Sequence, residues 1–135
     1  MAASLGATRT AAGTELLYAR SAVVLHAAAF GLQAIDQINL NFTDREQLES
    51  DAKMGAILGY QGKQVIHPAQ IEVVQHAFTP EPEQVQEAQK LLDAYVDHIA
   101  RGEGAFAMDG KLVDLAHVHV AERIIERAKA GGVIP

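Results

Sequence analysis

Gly62-Lys63-Gln64-Val65-Ile66-His67-Pro68-Ala69-Gln70-Ile71 is the stretch on which the fold turns. It follows one helical segment and runs straight into another, and its first half predicts a short buried strand over 63–66. Pro68 then suits the first position of a helix, where its missing N–H has no bond to lose. A buried strand that ends in a polar residue and passes into a helix is how α/β enzymes bring groups to a site at the strand's carboxyl end. The chain is therefore expected to be part of an enzyme.

Working outward, Thr43-Asp44-Arg45-Glu46 fits a capping box in which the threonine hydroxyl and glutamate carboxylate satisfy backbone donors at a helix start. That helix is expected to run to Leu58 and stop at Gly59. Upstream, Ile35, Ile38 and Leu40 interleave with polar residues, which predicts over 32–40 a strand running into a loop, with Asp36 within the strand or at its end. Before it, Leu16, Leu17, Val23, Val24, Ala27 and Phe30 recur at helical spacing, and Gly31 sits where a left-handed terminator belongs. Downstream of the key stretch, Ile71, Val74, Ala77 and Phe78 mark the buried face of the next helix. Pro80 and Pro82 precede a long amphipathic helix with one stripe of Val85, Ala88, Leu91, Leu92, Tyr95, Val96 and Ile99. Asp109-Gly110 predicts a hairpin over 106–113, and Leu115, Val118, Ile124, Ile125 and Ala128 predict a final helix over 115–129.

Strands alternating with helices imply an α/β chain with parallel pairing, yet two core strands cannot close a sheet. The length of 135 residues, 49% of them hydrophobic, suits one ordinary domain or less. Net charge of -6 is scattered along the chain and leaves no footprint for nucleic acid, so no nucleic-acid partner is expected. Zero cysteines exclude disulfides and thiolate chemistry within these residues. The longest apolar stretch, 21–35, is broken by His26, Gly31 and Gln33 and falls short of the ~20 residues of a bilayer span, so no membrane partner is expected. The opening residues carry no readable targeting signal, and no internal repeat appears.

Five blocks, in order, carry a resemblance: Leu5-Gly6-Ala7-Thr8-Arg9, Glu15-Leu16-Leu17-Tyr18-Ala19-Arg20, Ala29-Phe30-Gly31-Leu32-Gln33-Ala34-Ile35-Asp36, Gly62-Lys63-Gln64-Val65-Ile66-His67-Pro68 and Gly104-Ala105-Phe106. Together they resemble the citrate lyase β-subunit-like family of the HpcH/HpaI aldolase superfamily, nearest to its citramalyl-CoA lyases, over nearly the whole chain. The resemblance implies the C-terminal fragment of a (β/α)8 TIM barrel over 1–79, holding its last two strands and helices. A helix, β-hairpin and helix extension follows over 80–135. It implies Mg2+-dependent cleavage of citramalyl-CoA to acetyl-CoA and pyruvate, or of malyl-CoA to acetyl-CoA and glyoxylate, with a CoA thioester as substrate. A homotrimer in the mitochondrial matrix or bacterial cytoplasm is the implied setting.

The family's magnesium ligands, a glutamate and an aspartate, would fall before Met1, so no metal ligand is assigned to this chain. Without them the isolated chain is expected to be inactive, because the cation's stabilisation of the enolate is missing. The alternative is a non-catalytic, helix-rich association module derived from a truncated lyase.

By resemblance Asp114 is the catalytic acid that reaches a neighbouring subunit and protonates the thioester enolate; by its position before the last helix it is an N-cap. Gln64, Val65, Ile66 and His67 are the implied substrate-binding segment at the barrel mouth, with backbone contact the safer expectation and His67 open to a structural role. Asp36 is a possible further site residue, or one that orients its following loop through an Asx-type bond. Arg9 and Arg20 fit either carboxylate or phosphate partners or solvated charges. His117 and His119, two apart on a helix, do not converge on one ion. Glu83, Glu87 and Lys90 read as a solvated helix face.

Overall fold

The computed structural model describes residues 4, 6–8, 10 and 12–135. They divide into two compact units, Met1–Phe78 and Thr79–Pro135. Leu5 and Arg9 lie outside the described residues.

In the first unit a 3-10 turn, Thr14–Leu16, leads into helix α1 (Leu17–Ala29). Gly31 at φ 64 ends it in the left-handed conformation, and the Leu32 N–H closes back on the Ala27 carbonyl at 2.8 Å. Strand β1 is Ile35–Asp36, so within 32–40 the strand is short, Asp36 ends it as one expectation had it, and the loop begins at once. The reason is local: Asp36 Oδ1 accepts from the Gln37 N–H at 2.8 Å and Asn39 Oδ1 accepts from the Asn41 N–H at 2.9 Å, so side chains take the donors that would extend a ladder. Helix α2 (Arg45–Leu58) follows and stops at Gly59, as expected. Its cap is Asp44, which accepts from the Gln47 N–H at 2.9 Å, and not Thr43, whose hydroxyl donates instead to Asn41 Oδ1 at 2.8 Å. A carboxylate at the positive end of a helix is the stronger acceptor, which explains the correction.

Strand β2 is Gly62–Lys63 rather than 63–66. It pairs parallel with β1, Ile35 opposite Gly62 and Asp36 opposite Lys63, so the expected βαβ connection through α2 is present. Pro68 opens a 3-10 turn, Pro68–Gln70, which runs into helix α3 (Ile71–Phe78). The core joins Ala34, Leu48, Ala52, Tyr60, Val73, Val74 and Phe78, with Val24 and Ala27 of α1 packed against it. Ile71, expected inside, is 45% exposed, and Val73 takes a buried place.

In the second unit, helix α4 (Pro82–Ala100) packs on helix α5 (Leu115–Ala130). Between them strands β3 (Phe106–Met108) and β4 (Lys111–Val113) form the expected hairpin. Asp109 at φ 49 and Gly110 at φ 74 make the turn, two successive left-handed residues that match the twist of paired strands. The α4 stripe is buried at Val85 and Ala88 but exposed at Val96 and Ile99. On α5, Val118, Ala121 and Ala128 are buried, whereas Leu115 is 52% exposed. No helix among the described residues is long and apolar enough to cross a membrane.

Candidate functional site at the carboxyl ends of the parallel strands

Asp36 and Lys63 are the last residues of β1 and β2 and stand side by side in register. Both are buried, so each charge needs a partner. Lys63 Nζ donates to Asp36 Oδ2 at 3.0 Å, to Asp51 Oδ2 at 2.8 Å and to the Gln37 carbonyl at 2.7 Å. Arg20, 4% exposed on α1, grips Asp36 through Nε at 3.2 Å and through a terminal nitrogen at 2.6 Å, and reaches Asp51 Oδ1 at 3.3 Å. The sequence had offered a solvated Arg20 as one reading; its burial between two carboxylates corrects that. Two cations and two anions thus balance in one cluster beneath the strand ends. Tyr60 donates its hydroxyl to the Arg20 carbonyl at 3.0 Å, and burial, then the Asp36 charge, pushes its pKa up. Gly55 on α2 admits the cluster: a Cβ there would lie 2.6 Å from Asp36 Oδ2.

Above this floor a cleft of about 710 Å3 opens at the carboxyl end of β1. Gly13 and Leu16 line one side, Gln37, Asn39 and Asn41 of the loop after β1 another, and Gln47, Ser50, Asp51 and Met54 of α2 a third. Arg20 and Asp51 are its charged groups among these, and both are paired. The remaining polar wall is amide and hydroxyl, suited to neutral hydrogen-bonding ligand groups.

Gln64, Val65, Ile66 and His67 follow β2 and are exposed, but they do not line this cleft. Gln70 ties them to it. Its side chain, 1% exposed, donates to the Asn39 carbonyl at 3.0 Å and accepts from the Ile66 N–H at 2.9 Å. The His67 ring stacks on Phe42 at 4.8 Å, and its Nδ1 accepts from the Ala69 N–H at 3.2 Å. Asp36 makes the Asx-type bond to Gln37 as well as its ion pairs, which leaves its carboxylate fully engaged.

In the second unit Asp114 caps α5. Its Oδ1 accepts from the Ala116 and His117 N–H groups at 3.0 and 3.3 Å and contacts the His117 ring at 2.7 Å. The His117 side chain, then the His117 backbone N–H, holds the carboxyl group below its ordinary range. Its side chain is 51% exposed. At neutral pH this geometry describes a carboxylate.

A magnesium ion takes oxygen ligands from unengaged carboxylates. The described residues do not fit it: Asp36 and Asp51 are each shared by Arg20 and Lys63, and no group of three or more His, Asp or Glu among them is disposed around one point. Glu83, Glu87 and Lys90 are exposed on α4.

Sequence reasoning missed Lys63, Asp51 and Gln70. Faint signals existed. Asp51 falls on the α2 face of Leu48, Ala52 and Gly55, and Arg20 falls on the α1 face of Leu16, Val24 and Ala27, so each is a charge inside an apolar stripe. For Gln70 the helical pattern gives no hint.

Residues 1–68 match the family described as HpcH/HpaI aldolase/citrate lyase. The chain is 44% identical over 126 residues to the mitochondrial citramalyl-CoA lyase of Mus musculus, covering 93% of this chain and 37% of that protein. It is 34% identical to the citrate lyase subunit beta of Haemophilus influenzae, over 95% of this chain and 44% of that one. Its fold is similar to a crystal structure of CitE from Mycobacterium tuberculosis in complex with magnesium, acetoacetate and coenzyme A, with a TM-score of 0.77 and 34% identity over 96% of this chain and 49% of that chain. The chain therefore spans less than half the length of these relatives.

Proposed function

Because the chain belongs to the HpcH/HpaI aldolase/citrate lyase family, we propose that it is the C-terminal portion of a carbon–carbon lyase acting on an acyl-CoA thioester, citramalyl-CoA or malyl-CoA. The observation that carries this reading is the cleft at the carboxyl end of a parallel βαβ unit, the position where barrel enzymes place their sites. In this reading β1 and β2 are the last two strands of a (β/α)8 barrel, and the magnesium ion of the complete enzyme is held by residues outside these 135.

The chain's own residues divide the remaining tasks. The buried cluster of Arg20, Asp36, Asp51 and Lys63 fixes the strand ends, and the loops above it receive the substrate. The segment Gln64, Val65, Ile66 and His67 contacts the thioester mainly through backbone. Asp114 gives its proton to the enolate carbon of acetyl-CoA after the carbon–carbon bond breaks, acting on a neighbouring subunit of a trimer. As an exposed cap beside His117 its carboxyl group is ionised at neutral pH, so this role requires burial against the neighbour to raise its pKa.

The test joins this chain to an upstream half that carries the metal ligands and compares wild type with Asp114→Ala. The substitution is expected to lower kcat about 100-fold, the scale of a single proton-transfer group. Unchanged turnover eliminates the acid role. The exposed Val96 and Ile99 on α4 favour a second reading, an association module that docks on complete subunits without catalysing anything. Co-elution with a full-length relative, without any gain of turnover in the joined protein, would select it.

A further inference from the structure

The segment 64–67, read above as meeting the thioester mainly through backbone, carries a particular pattern of bonded and open donors. Gln64 N–H donates to the Asp36 carbonyl at 3.1 Å and Ile66 N–H to Gln70 Oε1 at 2.9 Å. Among the described residues neither the Val65 nor the His67 N–H has an acceptor. Alternate donors are thus consumed and the intervening two remain, at residues that are themselves exposed. The bond at Ile66 is made by Gln70, a neutral side chain almost wholly buried, whose amide oxygen takes Ile66 while its amide nitrogen holds the Asn39 carbonyl in the cleft wall. A primary amide suits this place because it offers a donor and an acceptor side by side without charge.

We propose that Gln70 is a positioning residue for substrate: it clasps the loop after β1 to the loop after β2, so that the Val65 and His67 N–H groups are presented as a pair to carbonyl oxygens of the acyl-CoA. The inference rests on the reading of 64–67 as the thioester-binding segment. Bonded N–H groups at 64 and 66 fix the backbone between them, and a fixed backbone loses little freedom when a ligand accepts from it. Phe42 stacked on His67 closes the same two loops from the exposed side.

The test uses the joined protein described above, with citramalyl-CoA as substrate. Gln70→Met removes both bonds at similar volume and is expected to speed amide exchange at Ile66 and raise KM about tenfold with kcat little changed. Gln70→Glu keeps an acceptor for Ile66 but sets a carboxylate oxygen against the Asn39 carbonyl at a site nearly closed to water; it is expected to keep Ile66 protected and raise KM at least as much, about tenfold. Faster Ile66 exchange with KM unmoved overturns the inference. Should Gln70→Met fail to fold, a folded Gln70→Glu with wild-type KM overturns it equally. Wild-type joined protein with no saturable turnover removes the functional reading and this inference together, whereas wild-type turnover that ignores Gln70 removes this inference alone.

Discussion

The two units are held by different kinds of contact. In Met1–Phe78 the polar bonds that matter join residues distant in sequence: Arg20 to Asp36, Lys63 to Asp36, Gln70 to Asn39, and Tyr60 to Arg20, the last 40 positions apart. In Thr79–Pro135 caps and turns join near neighbours: Asp114 with His117, Glu81 with Gln84, His98 with Glu103, and a hairpin closed by its own turn. His98 also stacks on Phe106 at 4.0 Å, which ties the end of α4 to the start of the hairpin that follows it. The difference teaches that the first unit trades local simplicity for a buried, charge-balanced centre beneath a cleft. The second unit is a framework built from caps and turns.

Substitutions can break or sharpen this contrast. The largest effect is expected from Asp36→Ala, which leaves the buried Arg20 and Lys63 charges to share Asp51; removing one partner of a buried ion network costs about 3–5 kcal/mol. Urea unfolding measures it, and a loss no greater than that of His98→Ala would erase the distinction between the units. Next is Gly55→Ala. The added methyl meets Asp36 Oδ2 at 2.6 Å, an overpacked contact that destabilises by about 1–3 kcal/mol. Gly110→Ala in the hairpin should cost about 1 kcal/mol, because an L side chain is forced to positive φ. Its effect should show as faster amide exchange centred on β3 and β4, with the end of α4 at the His98–Phe106 stack the next to follow.

The smallest effect is a pH dependence at Asp114. Its pKa is depressed in the folded chain, first by the His117 side chain, so its contribution to stability is complete above the unfolded value of 3.8. That contribution is lost as the pH falls from there through the lowered folded value. Protection of the Ala116 and His117 amides, taken relative to the intrinsic exchange rate at each pH, should therefore fall on acidification below 3.8 in wild type and stay flat in Asp114→Asn, which caps without titrating. Identical profiles would show that the carboxylate does nothing there beyond hydrogen bonding.

The same contrast decides what could be read in advance. The hairpin at Asp109-Gly110, the cap at Asp114, the α1 stop at Gly31 and the α2 stop at Gly59 were legible because each is a bond between neighbours, written in consecutive residues. The Thr43 cap was misplaced by one residue, because two good capping side chains stand together and only their competition for the Gln47 N–H selects Asp44. The strand was overextended at β2, and at β1 the passage into loop comes directly after Asp36. Alternating apolar residues report a pleated tendency, but the donors there are taken by Asp36, Asn39 and Gln70 side chains, one of them reaching across from the next helix.

By itself, then, the order of residues determined the α/β class, the helices with the stops at Gly31 and Gly59, the parallel pairing of β1 with β2, and a family pattern that residues 1–68 bear out. Tertiary structure alone decided that Arg20 is buried, that Lys63 and Asp51 share Asp36 with it, and that Gln70 joins two loops. The physical reason is that charge burial depends on where a partner arrives in space. A partner 16 or 27 residues away leaves no period or spacing in the chain that would announce it.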